Sequence, residues 1–368
     1  MFARPLVLAV ATMLAAACAR DGDASSSFSG GSQIGTAEPA SMGSTGTVSS
    51  GNAVSTSEAS EASDTDSDTS SGTTVGSSSS SPVPDLDPPG PDGCQGKIDF
   101  LFVISNSGTM TSHQEQVHTA LPEFIDAIES NFVDFDRHIM VVDTDHGWLM
   151  KDCSLCGPGC DPNGELPTCG AELDECDKMM GAGVTFPAGK DSSARRCDLA
   201  AGRYITREDP DPVAAFLCTA RVGSGGGVDF PADAMVAALS NKFLGLPPYP
   251  EAGCNQGFLR ENALLVVTII TDNPDDESSG PEEAWRDALM DAKGQDGDAF
   301  QLLVISTDND VHDGLCGNWT GGFDHRLRNF VNLVPHGRFG SICASSYASF
   351  FDVAVMDIHE RCASFVPQ

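Results

Sequence analysis

Apolar residues fall along this chain in two alternating patterns. Four short runs are apolar at both odd and even positions: Ile98 with 100–104, 137–142 (RHIMVV), 263–271 (ALLVVTIIT) and 300–306. Runs of that length, rich in β-branched residues, predict strands buried on both faces. Between them the spacing becomes helical. Val117, Leu121, Phe124 and Ile128 share one stripe, preceded by Ser112-x-x-Glu115 in the form of a capping box. Pro122 interrupts that stripe and predicts a kink or a division. Further helices are predicted at 211–221, 231–240, from Pro281 with Glu282 and Glu283 in its first turn, at 326–333 and at 345–360, with a short edge strand at 337–342. Strands alternating with helices predict an α/β fold: a doubly wound, mostly parallel sheet with helices on both faces and 263–271 near its centre. Such sheets bind ligands at the carboxyl ends of their strands.

The first 93 residues read differently. Arg4 and the apolar stretch 5–17 ending in Leu14-Ala-Ala-Ala-Cys18 have the form of a secretory signal, too short to span a bilayer. Small residues directly before Cys18 suggest bacterial lipoprotein processing with Cys18 lipidated, although Ala15-x-Ala17 also suits an ordinary signal peptidase. Residues 19–93 are Ser, Thr, Gly, Ala and acidic, with too few large apolar side chains to offset the entropy of ordering, so a disordered spacer is expected. A lipid anchor followed by a long solvated spacer makes a tether that holds one folded domain, 94–368, away from a membrane.

The chain has 13 Cys, and lipidation of one leaves an even number to pair. Six of them, Cys153, Cys156, Cys160, Cys169, Cys176 and Cys197, lie in a Gly-, Pro- and Asp-rich stretch that breaks the strand–helix alternation. The Cys153-x-x-Cys156 spacing admits zinc, but an exported chain favours disulfides. About 147–200 is therefore read as a disulfide-held loop insertion, with Cys94, Cys218, Cys254, Cys316, Cys343 and Cys362 bridging elsewhere.

The run 97–110, KIDFLFVISNSGTM, ends a strand in five small residues rich in hydroxyls. It resembles the opening of a von Willebrand factor A-type domain, where the first strand ends in Asp-x-Ser-x-Ser and begins a metal-ion-dependent adhesion site. On that pattern Ser107 and Thr109 keep the two hydroxyl positions, and Ser105 stands where the family has its Asp. The resemblance continues at Thr271-Asp272-Asn273, where the family has Thr-Asp-Gly, and at the glycine-rich 222–229, where Ser224 takes the place of a family Thr. It implies the doubly wound fold and a site drawn from Ser105, Ser107, Thr109, Ser224 and Asp272, with Asp229, Asn273, Asp275 and Asp276 on a ligand-binding rim. Hard cations are held by oxygen, and their affinity follows ligand charge. With Ser at 105 one charge is missing, so Mg²⁺ or Ca²⁺ is expected to be held weakly or not at all. Asp99 lies six residues before Ser105, roughly 20 Å along a regular strand, too far to replace it. The other reading of these hydroxyls is that they only satisfy backbone groups at a turn.

Charge and motif exclude several functions. Lys+Arg number 20 against 53 Asp+Glu, a net charge of −33, which argues against nucleic acid and anionic lipid as partners and leaves the lipid anchor as the only membrane contact. No G-x-S-x-G or HExxH pattern is present, and His113, His118, His325 and His336 have no nucleophile or second ligand at a diagnostic spacing, so no enzyme is expected. The expected function is binding or adhesion at an outer membrane or cell surface, to a protein or surface ligand. The alternatives are a structural envelope component without a specific ligand and, less favoured, a hydrolytic enzyme.

Overall fold

Each apolar run becomes a strand, and each strand alternates its side chains between two cores. The computed structural model describes residues 94–144, 172–224, 228–247, 253–317 and 324–365. Strands β1 (Lys97–Ile104), β2 (Asp136–Val142), β3 (Leu264–Ile270), β4 (Phe300–Ser306) and β5 (Gly337–Ser341) form one sheet in the order β2-β1-β3-β4-β5. Every neighbouring pair is parallel. The most apolar run, β3, is central, and the weakest, β5, is at the edge. This is the α/β, doubly wound arrangement expected from the sequence.

The helices divide by face. Phe100, Phe102 and Ile104 of β1 point into the core formed with α1 (Thr111–Asn131), α2 (Pro212–Ala220) and, at the end of the chain, α7 (Ala348–Ser364). Phe102 meets Phe216 edge-on at 4.9 Å, and Phe124 stacks on Phe351 at 4.3 Å. Leu101 and Val103 point the other way, toward α3 (Pro231–Ala238), α4 (Asn241–Leu244), α5 (Glu282–Ala292) and α6 (Arg326–Leu333). Burying each such aromatic or aliphatic side chain contributes about 1.5–3 kcal/mol, so the period-two exchange between cores fixes the register of the whole sheet.

Local details differ from the sequence expectations. Ser112 does not cap α1. A short 3-10 turn, Gly108–Met110, precedes the helix, which begins at Thr111 without a side-chain cap, so Ser112 is already inside the first turn. Nor does Pro122 divide α1, which runs unbroken for 21 residues. A proline there forfeits one backbone hydrogen bond, and the buried stripe Val117, Leu121, Phe124, Ile125 and Ile128 outweighs that loss.

The two described cysteines of the cysteine-rich stretch bridge outside it. Cys176 bridges Cys254 and Cys197 bridges Cys218, which fastens the insertion to the loop before β3 and to α2. Cys94–Cys362 ties the start of β1 to α7, and Cys316–Cys343 ties the loop after β4 to the segment after β5. Such cross-links belong to an oxidising compartment. Residues 1–93, with the signal, Cys18 and the spacer, lie outside the described residues, as do Cys153, Cys156, Cys160 and Cys169.

Asp99 is buried in β1, far from the carboxyl edge, and Arg260 explains why. Its Nε donates to Asp99 Oδ1 at 2.8 Å and its backbone N–H to Oδ2 at 2.7 Å, while the guanidinium also reaches Asp136 and the Ile98 carbonyl. Burial pushes the Asp99 carboxyl up to about 6 even though Arg260 pulls it down. Removing the cation leaves a buried charge uncompensated, so Arg260→Met is expected to lose about 3–5 kcal/mol in urea unfolding. Adding Asp99→Leu is expected to recover much of that loss.

Candidate functional site

Three strands of the sheet end in a residue with a hydroxyl near the break: Ser105 after β1, Thr144 two residues after β2, and Thr271 after β3. All three hydroxyls donate to one carboxylate, Asp229. Ser105 Oγ lies 2.8 Å and Thr271 Oγ1 2.7 Å from Asp229 Oδ2, and Thr144 Oγ1 closes on Oδ1. The Asn273 amide adds a fourth donor, to Oδ2, at 2.7 Å. The first and third hydroxyls are themselves held from behind. Ser105 Oγ accepts the N–H of Ser107, and Thr271 Oγ1 accepts the N–H of Asn273, both at 3.2 Å. These are turns in which a Ser or Thr side chain takes the N–H two residues on. Asp229 is 3% exposed. Burial pushes its carboxyl up, the donors from Thr144, Thr271 and Ser105 pull it down, and the charge of Asp272 adds a further upward push.

Directly beside this buried hub is a more open group of oxygens. Ser107 Oγ is 3.0 Å from Thr109 Oγ1 and donates to Asp272 Oδ1 at 3.1 Å. Thr109 is exposed and Asp272 half-buried. The sequence-predicted Ser107, Thr109 and Asp272 are thus brought into one contact set. Ser224 is placed next to it, where its hydroxyl accepts from Thr111 at 3.1 Å. Gly223 sets that loop: its φ is +79°, and a Cβ there would stand 2.6 Å from the Gly189 backbone. Two hydroxyls and a carboxylate are donors suited to a hard cation, and Asp272 makes no ion pair among the described residues. Among those residues no three acidic, His or Cys side chains converge to hold a metal, so hydroxyls must complete any ion's shell. The donor chemistry fits a hard divalent ion, with Ser107, Thr109 and Asp272 as the residues that would hold it.

The predicted rim separates into parts. Asp276 is exposed, Asn273 is half-buried and engaged with Asp229, and neither Asp229, the buried hub, nor Asp275 is on the rim. Asp275 is fully buried because it serves backbone donors: Oδ2 accepts the Ala232 N–H at 2.9 Å, at the start of α3, and Oδ1 the Ser278 N–H at 3.1 Å. Burial pushes its carboxyl up to about 6, against those hydrogen bonds.

Sequence reasoning did not single out Thr144, Gln114 or Thr111. The signals existed. Thr144 repeats the strand-then-hydroxyl pattern of Ser105 and Thr271. Gln114 is the one polar residue on the stripe of Val117 and Leu121, and its amide joins the Ser105 and Gly223 carbonyls at 3.0 and 2.5 Å. Two of the histidines serve the scaffold: His325 caps α6, and His336 lies between Asp298 and Arg361.

No family model and no curated protein matches the chain. Among solved structures it is similar to proximal thread matrix protein 1 from the mussel byssus, at 10% identity over 72% of this chain and 48% of that one, with a TM-score of 0.38. A form of the same protein with a zinc-occupied MIDAS motif aligns at 12% identity over 73% and 47%, with a TM-score of 0.35. The pilus adhesin SpaC from Lactobacillus rhamnosus GG, in an open conformation, aligns at 10% identity over 72% and 30%, also at 0.35. The chain spans about half or less of the length of these structures. The fold assignment stands on the sheet order itself.

Asp275 gives a pH dependence whose sign is fixed. Its folded carboxyl keeps a proton up to about pH 6, whereas an ordinary one loses it near 3.8, so its proton-linked stabilisation is complete below 3.8 and lost as pH rises through 6. Asn tolerates the left-handed backbone at this position, where φ is +68°. Measured against Asp275→Asn in thermal or urea unfolding, the native protein is expected to gain about 1 kcal/mol between pH 7 and pH 5.

Proposed function

We propose that this chain is an exported, lipid-anchored binding protein of the cell envelope that recognises a protein or surface ligand through the loops at the carboxyl edge of its sheet. The reading rests on one observation: the group formed by Ser107, Thr109 and Asp272, an oxygen cluster whose Thr109 is exposed and whose Asp272 is half-buried, with no ion pair on its carboxylate among the described residues.

The chain's residues have distinct tasks in this reading. Ser107, Thr109 and Asp272 would hold a divalent ion, whose positive charge would attract a carboxylate of the partner. Asp229 and its donors fix the three strand ends so that these oxygens stay preorganised. The loop 307–317 stands at the same edge, held by the Asp308 carboxylate, which accepts the N–H groups of Leu315 and Cys316 at 2.7 and 2.8 Å, and by the Cys316–Cys343 bridge. It displays Val311 and Leu315, 40% and 66% exposed, as apolar contact area beside the polar centre. Cys18 and the spacer 19–93 would carry the domain as anchor and tether.

The test is surface plasmon resonance of the full chain against an immobilised glutamate-containing hexapeptide, a minimal carboxylate probe. Millimolar binding is expected with Mg²⁺ or Mn²⁺, lost on adding EDTA and lost in Asp272→Ala. Binding that persists in both conditions would contradict recognition at this cluster.

A further inference from the structure

We infer that Asp229 supplies the negative charge that Ser105 has removed from the end of β1, so that the site is transposed and not lost. The inference rests on the metal-bridged reading just given, and extends it to a residue on a different loop. The sequence resemblance places a carboxylate at position 105. In the structure a carboxylate lies against that residue but arrives from position 229, 124 residues along the chain, with its Oδ2 2.8 Å from the Ser105 hydroxyl.

Three independent features support the exchange. First, a side chain as short as Ser leaves room beside the end of β1, and Asp229 is the group that fills it. Second, the Asp229 carboxylate sits between the two strand ends that carry the cation-suited oxygens. It is bonded to Ser105, two residues before Ser107, and to Thr271 and Asn273 on either side of Asp272. Third, Asp229 has only neutral donors. Asp99, by contrast, has Arg260, whereas the buried Asp275 and Asp308 take backbone N–H groups in place of a cation. Among the described residues Asp229 has no cationic partner, which is costly for a buried carboxylate. A divalent ion held by Ser107, Thr109 and Asp272 would be that partner.

The geometry also assigns a role to each hydroxyl. Ser105 and Thr271 direct their protons at Asp229, leaving their lone pairs for the N–H groups of Ser107 and Asn273. Asp229 is thus a positioning and charge-supplying residue, and Ser107, Thr109 and Asp272 are the proposed ligands.

The experiment is a charge transposition in the full chain. Mn²⁺ affinity is measured by electron paramagnetic resonance of free Mn²⁺, and melting temperature is recorded for every protein with and without Mn²⁺. The native chain is expected to bind, Asp272→Asn to lose binding, and Asp229→Ser to bind at least tenfold more weakly. The double variant Ser105→Asp with Asp229→Ser returns the charge to the strand end, and is expected to restore affinity to within about threefold of native, which also shows that the fold survives loss of Asp229. Ser105→Asp alone crowds two carboxylates together and is expected to melt lower without Mn²⁺ and to gain more than the native chain from it. Equal binding by Asp229→Ser and the native chain, with Asp272→Asn still defective, would overturn this inference and leave the metal-bridged reading standing. No Mn²⁺ binding by the native chain, or binding only in Ser105→Asp, would overturn both.

Discussion

The carboxyl edge of this sheet depends on a single buried carboxylate. A parallel sheet presents the ends of its strands side by side, but nothing in the ladder itself ties the outgoing turns together. Asp229 does so, taking hydroxyl protons from the residues after β1, β2 and β3 and an amide proton from Asn273. Hydrogen bonds to a carboxylate are stronger than those between neutral groups, and a buried one with four donors leaves little freedom to any of the loops it joins. The open oxygens of Ser107, Thr109 and Asp272 inherit their positions from this hub.

The opposite edge is organised by the reverse arrangement. There a buried carboxylate, Asp99, meets a cation, Arg260, and Lys293 donates to the Arg260, Glu261 and Ala263 carbonyls, its own ammonium pushed down to about 8 by burial. At one end the buried carboxylate has a cation beside it, and at the other Asp229 has only neutral donors among the described residues. In a chain of net charge −33 that asymmetry is not visible in composition, because it depends on where the few Arg and Lys side chains are placed.

Much of the fold was legible in the sequence because each strand is buried on both faces and so reads as a continuous apolar run. The bounds of β4 and α6 coincide with their sequence patterns, and β3 is central as its composition requires. What was not legible was tertiary. The start of α1 is set by a 3-10 turn that a capping pattern cannot reveal, and its passage through Pro122 is decided by burial of the helix's apolar stripe. Disulfide pairing depends on which loops meet in space, and Cys176–Cys254 and Cys197–Cys218 join segments with no local relation. For the candidate site, the motif named Ser107, Thr109 and Asp272, which the structure brings into contact, whereas the hydrogen bonds of Asp229 required three strand ends to be seen together. Asp275 misled for the same reason: an acidic loop residue looks like surface until its backbone partners are known.

The central claim is that the charge at this edge is real and directed at one place. It is tested most directly by an anomalous-scattering map of crystals of the chain grown with Mn²⁺. The account predicts a single Mn²⁺ peak within coordination distance of Ser107 Oγ, Thr109 Oγ1 or Asp272, on the side facing Asp229. A map with no peak there, or with Mn²⁺ held only by the exposed Asp276 and Glu277, would contradict it.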